Sequence, residues 1–180
     1  MKTLIAVLTV CSIVFITALN GRADSREGFI YEPIFNSKIY FYESGKQHVK
    51  NVVLIHGIGD EGARTWRYLA PELEKEFHVV AFDLPGFARS SKGNKLYSPA
   101  NFTAFVNWII KKYTTGPVVI IGHSLGGSIS LYYAGIYPEN LERLIIVDAA
   151  GILHRSAFVK NFMTVKPNKL LDIIDTPVSI

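Results

Sequence analysis

The sequence predicts an α/β fold, a mostly parallel sheet with helices on both faces, and three observations predict it. Short, predominantly apolar runs at 52–55, 78–82, 117–121 and 144–147 carry the signature of strands covered on both sides. Segments with apolar residues at helical spacing separate those runs. One strand also passes directly into a helix through Gly122-His123-Ser124-Leu125-Gly126. Strands that alternate with helices join through right-handed crossovers, which is what makes the sheet parallel and places helices over it.

Taken in order, 29–35 and 38–42 alternate apolar and polar residues about Asn36-Ser37, as an opening β-hairpin does. A polar turn, 45–51, leads to the buried strand 52–55. Trp66, Leu69, Ala70 and Leu73 set a helical pattern over 61–77, and Pro71 inside it demands a kink or a restarted helix. The strand 78–82 is followed by a long loop, 83–97. Ser98 caps a helix with Pro99 in its first turn; it runs to Tyr113 and buries Phe102, Phe105, Val106 and Ile109. Strand 117–121, a helix over 125–137 stopped before Pro138, and strand 144–147 complete a core over 28–151. The tail, 152–180, reads as apolar and helical without a clear further strand, the start of a helical cap.

The N-terminus is a separate element. Met1-Lys2 precedes an apolar run over 4–19 broken only by Thr9, Ser12 and Thr17, and Gly21 and Ala23 are spaced as in a signal-peptidase site. A basic start, apolar middle and small-residue end make 1–23 a secretory signal cleaved after Ala23, and the chain an exported one, periplasmic or secreted. The alternative is an uncleaved anchor through which the chain contacts a membrane, although the apolar run is short for a span. Cys11 is not a lipidation site, because Val10 stands where a small residue is needed. Removing 1–23 takes away Lys2, Arg22 and Cys11, the only cysteine, and lowers the net charge from +4 to +2. So weak and dispersed a charge excludes nucleic acid as a partner. The sequence has no His-x-x-x-His pair and no carboxylate cluster, and neither a metal nor a cofactor is expected.

Ligands of such a sheet gather at the carboxyl ends of its strands. Three ends carry unusual residues: His56-Gly57-Ile58-Gly59 after 52–55, Asp83-Leu84-Pro85-Gly86-Phe87-Ala88-Arg89-Ser90 after 78–82, and the Ser124 turn. A serine hydroxyl is a poor nucleophile unless a turn exposes it and a base takes its proton. A tight strand-to-helix turn does the exposing, and the small Gly122 and Gly126 allow the close backbone contacts it needs. Gly-x-Ser-x-Gly alone arises by chance on the order of 5% of the time in a chain this long, so its setting carries the weight.

Together the three segments resemble the α/β-hydrolase fold superfamily, in its serine esterase, lipase and C–C bond hydrolase branch, over about 28–151. The resemblance implies that Ser124 is the nucleophile of an acyl-enzyme mechanism on an ester-type bond of a small apolar molecule. It also implies that the amides of Ile58 and Leu125 form the oxyanion hole. His56 occupies the oxyanion-loop position and braces that loop with Gly57. His123 is positional, because its side chain points away from the hydroxyl. Asp83 shapes its own loop and is not the catalytic acid. Ala88 stands where a second glycine is common, which implies strain if the backbone there is left-handed. A serine at 124 disfavours the branch with an aspartate nucleophile.

In this fold the triad runs Ser, then Asp or Glu, then His, and the resemblance places the acid and the base histidine past Ile180. Asp148, at the end of 144–147, occupies the place where a minority of lipases carry the acid. The chain is therefore expected to be the N-terminal part of a longer enzyme, poorly soluble and hydrolytically silent by itself, with 144–147 a bare apolar edge. The rival readings are a non-catalytic binding protein of the same fold and a C–C bond hydrolase. The substrate and the oligomeric state are not encoded in any motif.

Overall fold

The computed structural model describes residues 25–93, 96–149 and 171–173. The expected export segment, 1–23, and the expected cap apart from 171–173 lie outside these residues. The described residues form a seven-stranded sheet in the order β1-β2-β4-β3-β5-β6-β7. The strands are β1 (Arg26–Glu32), β2 (Ser37–Ser44), β3 (Asn51–Ile55), β4 (His78–Phe82), β5 (Val118–His123), β6 (Leu141–Val147) and β7 (Leu171–Ile173). β1 and β2 pair antiparallel and β2 lies antiparallel to β4, whereas β4, β3, β5, β6 and β7 run parallel.

The helices are α1 (Ala70–Leu73), α2 (Pro99–Tyr113) and α3 (Leu125–Ile136), with 3₁₀ turns at Gly62–Trp66 and Pro138–Asn140. Their faces follow from crossover handedness. α2 and α3 cover one side of the sheet, where Phe82, Phe105, Ile109, Ile120, Ile129 and Tyr133 pack together. The 3₁₀ turn and α1 cover the other, through Trp66 and Ala70 against Val52, Leu54 and Val79. Because both sides are covered, β3 and β4 are buried at every position, as their unbroken apolar runs require.

Local rules account for most boundaries. The Ser98 hydroxyl accepts the Asn101 amide at 3.1 Å, and Pro99 at N1 loses no hydrogen bond. Over 61–77 the chain forms no continuous helix: the 3₁₀ turn ends at Trp66 and α1 restarts at Ala70 with Pro71 in its first turn. The proline ring forbids an α-helix continued from the preceding turn.

Two elements differ from the sequence reading. β6 begins at Leu141 because Glu142 and Arg143 point to solvent, a polar stretch that hides the strand's first half. β6 is also not a bare edge: β7 pairs with it in parallel, Leu144 opposite Leu171 and Ile146 opposite Ile173. Three residues inside an apolar segment carry no readable period, and the open backbone groups of β6 recruit them.

The opening hairpin turns on a buried carboxylate. Glu32, fully buried at the end of β1, accepts the amides of Ile34, Phe35 and Ser37 at 2.8, 3.0 and 3.1 Å, and the Ser37 hydroxyl at 2.7 Å. Truncation removes the carboxylate that accepts from these amides in a buried setting, at a desolvation cost. Glu32→Ala is expected to lower the unfolding free energy by about 3 kcal/mol in urea titration, and Glu32→Gln by less, since its carbonyl still accepts.

Candidate active site

β3, β5 and β6 end side by side, with Ile55 opposite Gly122 and His123 opposite Val147. Ser124 follows β5 and immediately precedes α3, with φ 51° and ψ −117°. That conformation costs a side-chain-bearing residue roughly 1–3 kcal/mol and persists only where the surroundings impose it. Here they do: the Ser124 amide donates to Val147 O of β6 at 3.0 Å, and the Ser128 amide donates to Ser124 O at 3.2 Å as α3 begins.

Glycines let this junction close. A Cβ on Gly126 would sit 2.2 Å from Ile55 O, and one on Gly122 would sit 2.4 Å from Ser130 Oγ and 2.6 Å from Gly126 O. A Cβ on Gly57 would come within 2.8 Å of the Ser124 Cβ. The loop after β3 thus lies against the serine, and the next peptide group carries the Ile58 amide. Leu125 is the first residue of α3, so its amide is one of the donors a helix leaves unpaired. Among the described residues neither the Ile58 nor the Leu125 amide donates a hydrogen bond. Two free donors flank one half-buried turn at the positive end of a helix, where an anionic oxygen is favoured. The Ile58 side chain is 73% exposed at the rim.

His56 is buried and both ring nitrogens are engaged: Nδ1 is 2.6 Å from Gly57 O, and Nε2 accepts the Leu84 amide at 2.8 Å. A nitrogen that accepts an amide proton bears none, so Nδ1 carries the hydrogen and the ring is neutral. Neither nitrogen is free for Ser124. His123 is half-buried, its Nδ1 3.1 Å from where a Gly57 Cβ would be, so its ring flanks the same loop. His78 binds Asn51 and Glu43 at the opposite end of the strands, some five residues or about 16 Å below the elbow. His154 lies outside the described residues.

Asp83 is fully buried. Its carboxylate accepts the Ala63 amide at 2.6 Å, the Arg89 amide at 3.0 Å, and Arg89 Nε and Nη2 at 2.8 and 3.0 Å. It is fully occupied in holding two loops together. Arg89, which the sequence reading did not single out, also lies 3.3 Å over the Tyr40 ring. The only signal for it was a cation six residues after an aspartate destined for burial. Asp148 sits one residue past β6, exposed, with φ 47°. Among the described residues its carboxylate accepts no hydrogen bond, from a histidine or from backbone. No group of His, Cys, Asp or Glu able to hold a metal occurs among the described residues.

A family model for the α/β hydrolase fold matches residues 50–172. The chain belongs to the α/β-hydrolase fold family. An uncharacterised protein of Mycobacterium tuberculosis is 37% identical over 101 residues, 56% of this chain and 29% of that one. A probable serine hydrolase of Drosophila melanogaster is 31% identical over 115 residues, 59% of this chain and 33% of that one. Among solved structures, a membrane phospholipase A described as a bacterial virulence factor superimposes with a TM-score of 0.64 at 27% identity, covering 84% of this chain and 53% of that one. The chain thus spans about a third of the length of these curated relatives. Within this α/β-hydrolase chain, the loops after β3 and β4 and the β5–α3 elbow converge on one end of the sheet.

Two outcomes follow from this geometry. Ala88 has φ 45°, the left-handed region, so Ala88→Gly is expected to stabilise the fold by roughly 0.5–1 kcal/mol, read as a shift in urea midpoint. Burial holds His56 below its ordinary value of 6.5, helped by Arg89 and His123 and opposed by the Gly57 bond and Asp83. Its neutral ring therefore contributes stability that is complete above pH 6.5 and declines as pH falls through the lower folded value. Nitrogen NMR of the folded protein at about pH 7.5 is expected to show His56 neutral with Nδ1 protonated; a ring half-protonated at or above pH 6.5 contradicts this assignment.

Proposed function

We propose that this chain carries the nucleophile and oxyanion hole of a serine hydrolase that cleaves an ester-type bond in a small apolar molecule. The observation that carries the reading is the strained Ser124 turn with two unpaired amides beside it. Ser124 Oγ attacks the carbonyl carbon while a base takes its proton. The carbonyl oxygen gains negative charge and settles between the Ile58 and Leu125 amides. The tetrahedral species collapses, expelling the alcohol with the proton returned by the base, and water then releases the acid from the acyl-serine. The amides matter because charge grows on that oxygen only along the reaction path, and one donor contributes roughly 3–4 kcal/mol.

His56 is fully engaged and His78 lies at the far end of the strands, so in this reading the base comes with its acid partner from another part of the full protein. The exposed Ile58 and the nearby Phe87, whose ring centroid is 6.2 Å from that of His56, give the site an apolar rim. The relatives named serine hydrolase and phospholipase support the same chemistry. Residues 1–23 direct the protein out of the cytoplasm as part of this proposal.

The full gene product is expected to hydrolyse p-nitrophenyl butyrate and to be labelled by a fluorophosphonate on the peptide containing Ser124. Ser124→Ala should abolish labelling and reduce kcat/KM by about 10³-fold or more. Turnover that survives Ser124→Ala, or a label on another residue, defeats the reading.

A further inference from the structure

We propose that the loop after β4 is a two-point clamp that sets the position of the Ile58 amide, with Asp83 as a positioning residue and Arg89 as its anchor. The proposal rests on the assignment of Ile58 as an oxyanion donor.

Between Gly57 and the 3₁₀ turn that begins at Gly62, the other bonds that hold the stretch are local: the Arg64 amide donates to Glu61 O at 3.0 Å, and Arg67 pairs with the Glu61 carboxylate at 3.1 Å. Gly59 and Gly62, at φ 133° and 57°, give it backbone freedom. Both of its ends are gripped by adjacent residues of the neighbouring loop. At one end the Leu84 amide donates to His56 Nε2, and His56 Nδ1–H donates to Gly57 O. At the other the Ala63 amide donates to Asp83 Oδ1 at 2.6 Å.

The first grip acts on the peptide group that carries the donor. Gly57 C=O and Ile58 N–H belong to one rigid plane and point in opposite directions. A hydrogen bond on that oxygen therefore fixes where the N–H points, and it polarises the N–H toward an incoming anion. The second grip prevents the free end of the stretch from swinging. A Cβ on Gly62 would lie 2.3 Å from Asp83 Oδ1, so the chain runs directly against the carboxylate.

The clamp is itself tied to the rigid sheet. The Asp83 amide donates to Tyr40 O of β2 at 2.9 Å, and Ser90 Oγ donates to Asp83 O at 2.7 Å while accepting the Tyr40 amide at 3.1 Å. Arg89 forms two side-chain bonds to the buried carboxylate with its guanidinium laid on the Tyr40 ring. A bidentate guanidinium fixes the rotamer of the carboxylate as well as neutralising it, which a lysine cannot do. A misplacement of about 1 Å in such a donor, caused by a change far from the reacting bond, is enough to slow the chemistry on the order of 100-fold.

The test uses the full gene product, with rates expressed per fluorophosphonate-titratable site so that loss of folded protein does not count. Asp83→Asn and Arg89→Lys are each expected to lower kcat for p-nitrophenyl butyrate by about 10- to 100-fold, with KM unchanged within about two-fold. Hydrogen exchange of the 57–63 amides should accelerate in the folded Arg89→Lys protein while the amides of β3 and β5 keep their protection. Full kcat in Arg89→Lys, or unchanged 57–63 exchange, overturns the clamp even if Asp83→Asn fails to fold. Loss of the Ser124 assignment registers separately, as turnover that persists in Ser124→Ala.

Discussion

The site depends on how closely the first turn of α3 approaches the end of β3. At Gly126 the two backbones meet so tightly that a Cβ would lie 2.2 Å from Ile55 O. No side-chain rearrangement relieves a contact with a backbone oxygen, so the residue has to be glycine. That approach brings the loop after β3 against Ser124 and places the Ile58 and Leu125 amides on the same side of the sheet. The same crowding, repeated at Gly122, drives β5 into α3 without a spacer and leaves Ser124 in a conformation its side chain disfavours. Strain at the serine is thus the consequence of close packing around it.

The two ends of the sheet put their buried polar groups to different uses. At the amino ends of β3 and β4, His78 bridges Asn51 and Glu43, and Asn51 reaches Thr115 O at 2.7 Å, so strands and a connecting loop are sewn together. At the carboxyl ends, His56 and Asp83 bind backbone amides of neighbouring loops. Hydrogen bonds to a buried carboxylate such as Asp83 are stronger than average, and buried bonds of either kind position what they touch.

Much of this was legible in the residues themselves. Unbroken apolar runs read as β3, β4 and β5 because parallel strands are buried on both faces, and Ser98-Pro99 marked the start of α2 because capping is a local interaction. The elbow was legible because its glycines and serine are contiguous. Pro71 marked the restarted helix within 61–77, whereas the early start of β6 was missed because Glu142 and Arg143 interrupt its apolar pattern. β7 could not be read, since three residues pair only because β6 offers an open edge. Arg89 escaped notice for a related reason: its meaning comes from a carboxylate and a tyrosine that folding brings to it.

The sequence by itself determined the fold class, the order of most of its strands and helices, and the identity of the turn that bears Ser124. Those features rest on short-range periodicity, capping and glycine sterics, all confined to neighbouring residues. Only the tertiary structure decided that His56 is neutral and fully engaged, that Asp83 holds the Ala63 amide as well as its own loop, and that Asp148 stands exposed without a hydrogen-bonding partner among the described residues. A titratable side chain acquires its role from the donors and charges around it. Those neighbours lie tens of residues away in the chain and meet only when the sheet brings its strand ends together.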